Sequence, residues 1–199
     1  MSKLSIPLPA HLRPAGFWGW LFGVNATIRL LRTSDLRAAG QHIERHAAES
    51  GKDGDHVFAP FSEFDREAYE ASRYESWRRP VDLPGWERCW GALVHDRVVG
   101  HLDLTGGHLY SSLHRARLGI GVERAHRGHG LGSALLEAAI HWARTEPDIF
   151  WIDLSVFAHN EGARRLYEKL GFRETGRTPD AYRMHGQSID DVHMALSVR

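Results

Sequence analysis

Two spacings of apolar residues alternate along the chain, one at every second position and one at every third or fourth, and their order predicts strands and helices in turn. "ATIRLL" (Ala26 to Leu31) reads as a strand. "TSD" (Thr33 to Asp35) supplies capping residues for a helix with the apolar face Leu36, Ala39, Ile43 and Ala47, ending at Gly51. After a loop from "GKDGD" to "FAPF", Ser62 and Asp65 resemble a capping box for a second helix through about Arg79. "PVDLPG" then breaks the chain. The strands "CWGALVH" and "RVVGHLDLT" follow, joined at "DR" by a turn too short for anything but an antiparallel hairpin. "RARLGIGVE" is a further strand.

In that strand Leu118, Ile120 and Val122 share one face, while Gly119 and Gly121 leave the other bare until Glu123. A bare face lets another group approach the backbone. The stretch "ERAHRGHGLGSALLEAAIHWAR" (Glu123 to Arg144) then turns from charged and glycine-rich to regularly apolar, with Leu131, Leu135, Ala138 and Trp142 at helical spacing. Its glycines sit in a strand-to-helix loop whose amides point into a helix N-terminus. The first turn of a helix has unpaired N–H groups and the positive end of the dipole, and glycine lets an anion come close to both. Arg127 adds a formal charge and Ser133 a hydroxyl, so the expected ligand is a diphosphate or a similar anion.

Composition narrows the function classes. A chain of 199 residues suits one domain, expected over 26–199, with an N-terminal hydrophobic arm over 1–25. The 25 basic and 25 acidic residues cancel, which disfavours nucleic acid as a partner. Cys89 is the single cysteine, so neither an intramolecular disulfide nor a multi-cysteine zinc site can form, and a reducing, cytoplasmic home fits. "AGFWGWLFGV" (Ala15 to Val24) has the length of a signal peptide, with "VNA" resembling a cleavage site, but three glycines interrupt it and Pro14 precedes it. It is too short to span a membrane. An amphipathic arm is expected instead, with Trp18 and Trp20 covering the domain or the second subunit of a homodimer.

Three phosphate-binding patterns compete for the glycine loop. A Walker loop requires Gly-Lys-Ser/Thr, and no lysine is present here; a dinucleotide fingerprint requires Gly-x-Gly-x-x-Gly, whereas the spacing is Gly128-x-Gly130-x-Gly132. "RGHGLG" instead resembles the Arg/Gln-x-x-Gly-x-Gly/Ala signature of the GNAT acyl-CoA-dependent N-acetyltransferases. Downstream, the strand "IFWIDLSVF" leads to "NEGARRLYEKLGF" (Asn160 to Phe172), which resembles that family's Asn-x-x-Ala-x-x-x-Tyr-x-x-x-Gly-Phe segment. "DDVHMALSV" resembles its closing strand. The resemblance is firm over roughly Cys89 to Arg199; before that, the elements agree in outline.

The resemblance implies an α/β fold of the α+β type: a mixed, mostly antiparallel central sheet, helices on both faces, and middle strands splayed to admit acetyl-CoA as cosubstrate. No metal is implied. It also implies that Arg127, Gly128, His129, Gly130, Leu131, Gly132 and Ser133 cradle the pyrophosphate, and that backbone amides near Ile120 to Val122 meet the thioester. Asn160 is either a helix N-cap or a cofactor contact, or both. Acetyl transfer to an amine needs a base, because an alkylammonium with a pKa of about 10.4 is not nucleophilic at neutral pH. It also needs donors for the carbonyl oxygen and an acid for the leaving thiolate. Tyr167 matches the family's acid, although it also lies on the packing stripe of Ala163, Leu166 and Leu170. Glu123 is a candidate base, with Asp153 and Ser155 as alternatives that interrupt one face of their strand.

The acceptor amine is open among a small molecule, an amino acid and a protein amino group, with Phe58, Phe61, Trp86 and Tyr182 as candidate pocket or core residues. The 14 histidines include His42 and His46, four apart on a helix, which are read as exposed because no third metal ligand is evident. His129 is expected to offer its amide and point its ring at solvent. No cysteine sits in a motif for an acetyl-enzyme, so direct attack in a ternary complex is expected. The competing reading is a noncatalytic CoA-binding module.

Overall fold

A computed structural model describes residues 25–52, 64–184 and 186–199. All of the expected arm over 1–25 except Asn25, together with Phe58, Phe61 and Ser62, lies outside the described residues. The elements run β1 (Ala26–Leu30), α1 (Leu36–Ala48), α2 (Arg66–Ser76), β2 (Glu87–Val94), β3 (Arg97–Gly106), β4 (Arg115–Val122), α3 (Leu131–Thr145), β5 (Trp151–Phe157), α4 (Glu161–Lys169), β6 (Arg173–Met184) and β7 (Gln187–Ser197), in the order the apolar pattern predicts. They build one seven-stranded sheet ordered β1-β2-β3-β4-β5-β7-β6.

Four starts and turns show how local chemistry sets this frame. Asp35 does not cap α1 with its side chain; Arg29 and the Arg32 amide occupy the carboxylate instead. Asp65 caps α2 directly, accepting from the Ala68 amide at 2.9 Å, and the helix ends at Ser76, short of the predicted Arg79. The β2–β3 hairpin turns at His95 and Asp96, one residue before the predicted "DR", with both residues at positive φ (49° and 61°). That is the pair of left-handed conformations a two-residue turn needs to match strand twist. Asn160 caps α4, its Oδ1 accepting from the Ala163 amide at 3.2 Å.

Every neighbouring strand pair is antiparallel except β4 and β5, which run parallel and pair only over Arg115–Arg117 with Trp151–Asp153. Beyond Arg117 the two strands part, and the sheet splits at its middle. One face of the sheet carries the main core, where Leu102, Leu104 and Leu118 meet Leu131, Leu135 and Ile140 of α3, and Tyr167 of α4 and nearby Phe172 close it. A smaller cluster on the other face joins Leu36 and Ala39 of α1 to Trp77, Cys89, Leu93 and Val98. Helices thus cover both faces.

Two side chains sit differently from their sequence expectation. Trp86 is fully buried and packs against Trp142, with ring centroids 5.8 Å apart, so it belongs to the core beneath α3 and not to an acceptor pocket. The face that α1 turns inward is rotated: His42 is 0% exposed beside buried Leu36, Ala39 and Gly40, whereas Ile43 and Ala47 are only half-buried. A histidine takes the innermost place because partners await it there.

Candidate active site

The site begins with the bare face of β4. Register places Gly119 opposite Asp103 and Gly121 opposite His101, both on β3. A Cβ on Gly119 would lie 3.0 Å from each carboxylate oxygen of Asp103, and one on Gly121 would strike the rings of His46 and His101. The glycines are what allow α1 and the polar side chains of β3 to close down on this strand. Because β4 leaves β5 after Arg117, the same glycines lie at the edge of the split.

Glu123, at the end of that face, is 4% exposed and fully engaged. His42 Nδ1 lies 3.0 Å from its Oε1, Arg45 Nε donates to Oε1 at 3.0 Å, and Arg97 donates to Oε2. Burial opposes its charge, but the hydrogen bonds and fields of His42 and Arg45 prevail and bring the carboxyl down to about 2. A carboxylate held in this way is a weak proton acceptor near neutral pH, which is a physical objection to Glu123 as the base.

Behind Glu123 lies a line of imidazoles. His42 Nε2 is 2.9 Å from His101 Nδ1, and His101 Nε2 is 3.8 Å from Asp103 Oδ1. His46 stacks on His42 at 5.8 Å. Burial lowers His42, partly offset by Glu123; burial, reinforced by the neighbouring imidazoles, holds His101 well below the ordinary imidazole range. Both rings are therefore neutral near pH 7. The expectation that His42 is an exposed surface histidine fails because a buried anion and a second imidazole complete its hydrogen bonds. Among the described residues no group of three or more His, Cys, Asp or Glu is arranged to hold a metal ion.

Asp103 is the residue that sequence reasoning passed over. Burial raises its carboxyl, Glu87 adds to the effect, and Arg73 and Arg117 offset it only in part, leaving it at about 7. Arg73 is shared with Glu87, its Nε 3.2 Å from Glu87 Oε1. The signal in the sequence was an acidic residue on the alternate face of "RVVGHLDLT", directly across from a glycine.

The loop before α3 has the backbone that the glycines promised. Gly128 and Gly130 take φ of 77° and 79°, and no atom lies within 4 Å of a Cβ built on Gly128. Gly130 forms the N-cap position of α3, so the amides of Leu131, Gly132 and Ser133 precede the first intrahelical bond, which runs from the Ala134 amide to the Gly130 carbonyl. The donors and open backbone suit a diphosphate. Arg127 is turned back toward the domain, its Nε donating to the Val122 carbonyl at 2.9 Å and its Nη2 3.5 Å from Glu49. His129 departs from expectation, since its Nδ1 is buried and makes no hydrogen bond among the described residues.

Tyr167 is 6% exposed against Phe172, and burial pushes its phenol up to about 12, so it stays protonated at neutral pH. Asp153 forms a two-point ion pair with Arg115 where β4 and β5 still touch. Ser155 meets His193 Nδ1 at 3.0 Å on an exposed face, and Thr178 holds the other ring nitrogen at 2.8 Å. Tyr182 is 39% exposed and packs edge-on against Phe157. The glycine loop follows β4, one wall of the split; Asp153 and Ser155 lie on β5, the other wall, with Asp153 at the point where the two strands part, and Tyr182 lies on the edge strand β6.

With this geometry in place, the similarities to known proteins acquire a location. The family model described as Acetyltransferase (GNAT) family matches residues 55–172, which run from the segment before α2 to the end of the Asn160–Phe172 stretch. L-amino acid N-acetyltransferase AaaT of Escherichia coli is 31% identical over 121 residues, 59% of this chain and 72% of that protein. N-alpha-acetyltransferase 40 of Saccharomyces cerevisiae is 45% identical over 64 residues, 29% of this chain, and the match spans only 22% of that longer protein. Among solved structures, a GNAT-family acetyltransferase from Streptococcus pneumoniae superposes with a TM-score of 0.73 at 22% identity, over 88% of this chain and 100% of the other. The protein yncA from Salmonella typhimurium, solved with its cofactor acetyl-CoA, gives 0.70 at 20% identity over 87% and 94%.

Proposed function

The chain belongs to the GNAT acetyltransferase family, and from that premise we propose that it transfers the acetyl group of acetyl-CoA to a primary amine by direct attack in a ternary complex. The observation that carries the proposal is the split between β4 and β5, which leaves the β4 backbone beyond Arg117 without a partner on β5, in a chain that runs on from β4 into the unpaired first-turn amides of α3. The cosubstrate supplies an activated acyl carbon. The amides of Gly128 to Ser133 hold its diphosphate, and β4 amides near Ile120 to Val122 orient the thioester and receive the negative charge that grows on its oxygen. Asn160, which caps α4, keeps that helix in register with the split. Tyr167, kept neutral by burial, donates its proton to the departing sulfur.

The acceptor belongs on the side of the sheet covered by α1 and α2, where the polar residues of β3 face Gly119 and Gly121. Two relatives are named for L-amino acids and for N-alpha acetylation, so α-amines are the first acceptors to try. The test is a melting temperature with and without excess acetyl-CoA, with ATP and NAD as controls, followed by turnover against amino acids, polyamines and peptides. A ligand at about 100 times its dissociation constant adds roughly 2.7 kcal/mol to the folded state. Stabilisation by acetyl-CoA with turnover of at least one amine supports the proposal. Stabilisation without any turnover would leave a noncatalytic CoA-binding module.

A further inference from the structure

Resting on that function, we propose that Asp103 is the proton acceptor for the substrate amine, and that the Glu123–His42–His101 chain positions it by fixing which ring nitrogen faces it. Asp103 lies on β3 across from Gly119, two residues past the point where β4 parts from β5. Its carboxylate sits over the bare Gly119 backbone and keeps 28% of its side chain exposed. A nitrogen poised to attack a thioester held along β4 therefore meets this carboxylate.

The hydrogen-bond directions follow from one fixed charge. Glu123 is an anion with only acceptor atoms, so the Nδ1 of neutral His42 must carry its proton and donate. His42 Nε2 is then an acceptor, and His101 Nδ1 must donate to it. His101 Nε2 is left with a lone pair, 3.8 Å from Asp103 Oδ1. A protonated Asp103 can donate to that nitrogen after a small movement or through one water; an ionised Asp103 finds no donor there. Hydrogen bonding to the neutral acid raises proton affinity, in the same direction as burial.

The surroundings do not reverse this. Facing the carboxyl are Tyr69 and Arg73 of α2, Glu87 and Cys89 of β2, His101 of β3 and Arg117 of β4, with His42 and His46 of α1 behind His101. Arg73, whose field on the carboxyl outweighs that of Arg117, is paired with Glu87. The chain does not carry the proton away, because its far end is a carboxylate flanked by two guanidiniums. It orders the tautomers.

The transfer balances as follows. Asp103 takes one proton from the ammonium and frees its lone pair. The new C–N bond forms as the carbonyl π pair moves onto oxygen, under the β4 amides. As the oxygen pair returns, the C–S bond breaks, the sulfur leaves with its bonding pair and takes the Tyr167 proton. The second amine proton restores Tyr167, and Asp103 releases its own to water.

Two measurements on the full chain test this. With acetyl-CoA and an amine accepted by the wild type, Asp103→Asn should lower kcat by about 10²–10³-fold while acetyl-CoA still raises the melting temperature, and the ascending limb of kcat/KM with pH should vanish. His101→Gln should keep that limb but move it to lower pH, a change that a purely packing role would not produce. Independently of turnover, the Asp103 carboxyl carbon followed by NMR should titrate near 7 in the wild type and lower in His101→Gln. Full activity in Asp103→Asn, or titration of Asp103 near 4, overturns the proposal alone. Wild-type protein that binds acetyl-CoA and acetylates nothing overturns the function and this inference together.

Discussion

His42 Nδ1 lies 3.0 Å from Glu123 Oε1, joining the middle of α1 to the end of β4 across 81 residues of sequence. Neither group exposes more than a few per cent of its side chain, so each is the other's replacement for water. The contact fixes α1 against the sheet where the active face begins. It also fixes a protonation pattern.

Removing the charge should therefore act on stability first. Glu123→Gln leaves Arg45 and Arg97 beside an uncharged amide and takes the preferred acceptor from His42, and breaking a buried ion pair by losing one partner costs about 3–5 kcal/mol. For a chain of this size that is on the order of 10 °C in Tm. The carboxyl is depressed in the folded state, so its contribution is present above the unfolded pKa and fades as pH falls from the ordinary carboxylate range toward about 2. The wild-type and variant melting curves should converge in that window. A pH–rate profile that loses its ascending limb in Glu123→Gln, with Tm unmoved, would return Glu123 to the role of base.

Asp103 carries the opposite sign. Its folded pKa is raised to about 7, so between the unfolded value and 7 the folded state binds the extra proton, and stability falls as pH rises through that range. Asp103→Asn removes the penalty. The variant should melt several degrees above the wild type at pH 8 and level with it near pH 4. A variant less stable at both pH values would mean that the carboxylate is held by partners that favour its charge.

The contrast between these two acids shows what a sequence carries. The element order, the glycine loop and the Asn160–Phe172 segment were legible because each is written in consecutive residues: alternation for strands, left-handed glycines before a helix, a cap followed by a stripe. Glu123 and Asp103 differ only in what folds against them. His42 depends on a rotation of α1 that brings Gly40 and His42 inward in place of Ile43, and apolar spacing alone points to the wrong face. Asp103 needs the β3–β4 register, and Trp86 needs the crossing of α3 over β2. All three depend on pairings distant in sequence.

At the glycine loop, conformation and ligand can be separated. Gly130 sits at φ 79°, where a side chain costs roughly 1–2 kcal/mol and a branched one more. Gly130→Val should lower Tm in the absence of ligand and abolish the rise produced by acetyl-CoA. Gly128 also has positive φ but faces open space, so Gly128→Asn, a residue that tolerates this conformation, should cost little stability. If acetyl-CoA stabilises Gly130→Val as much as the wild type, the diphosphate is held elsewhere.

Tyr167 is the sharpest case for separating packing from chemistry. Its ring fills the core against Phe172, and Phe would fill the same space, so Tyr167→Phe should change Tm by only a degree or two. Tyr167→Phe keeps the ring against Phe172 and removes only the hydroxyl. What disappears is the proton for the leaving sulfur, and kcat should fall by about 10²-fold or more with acetyl-CoA affinity unchanged. The phenol's elevation to about 12 adds a second readout: the proton stays available throughout the ordinary assay range, so wild-type kcat should show no descending limb below pH 10. A variant with unchanged kcat would leave Tyr167 as a core residue, with water as the source of the proton.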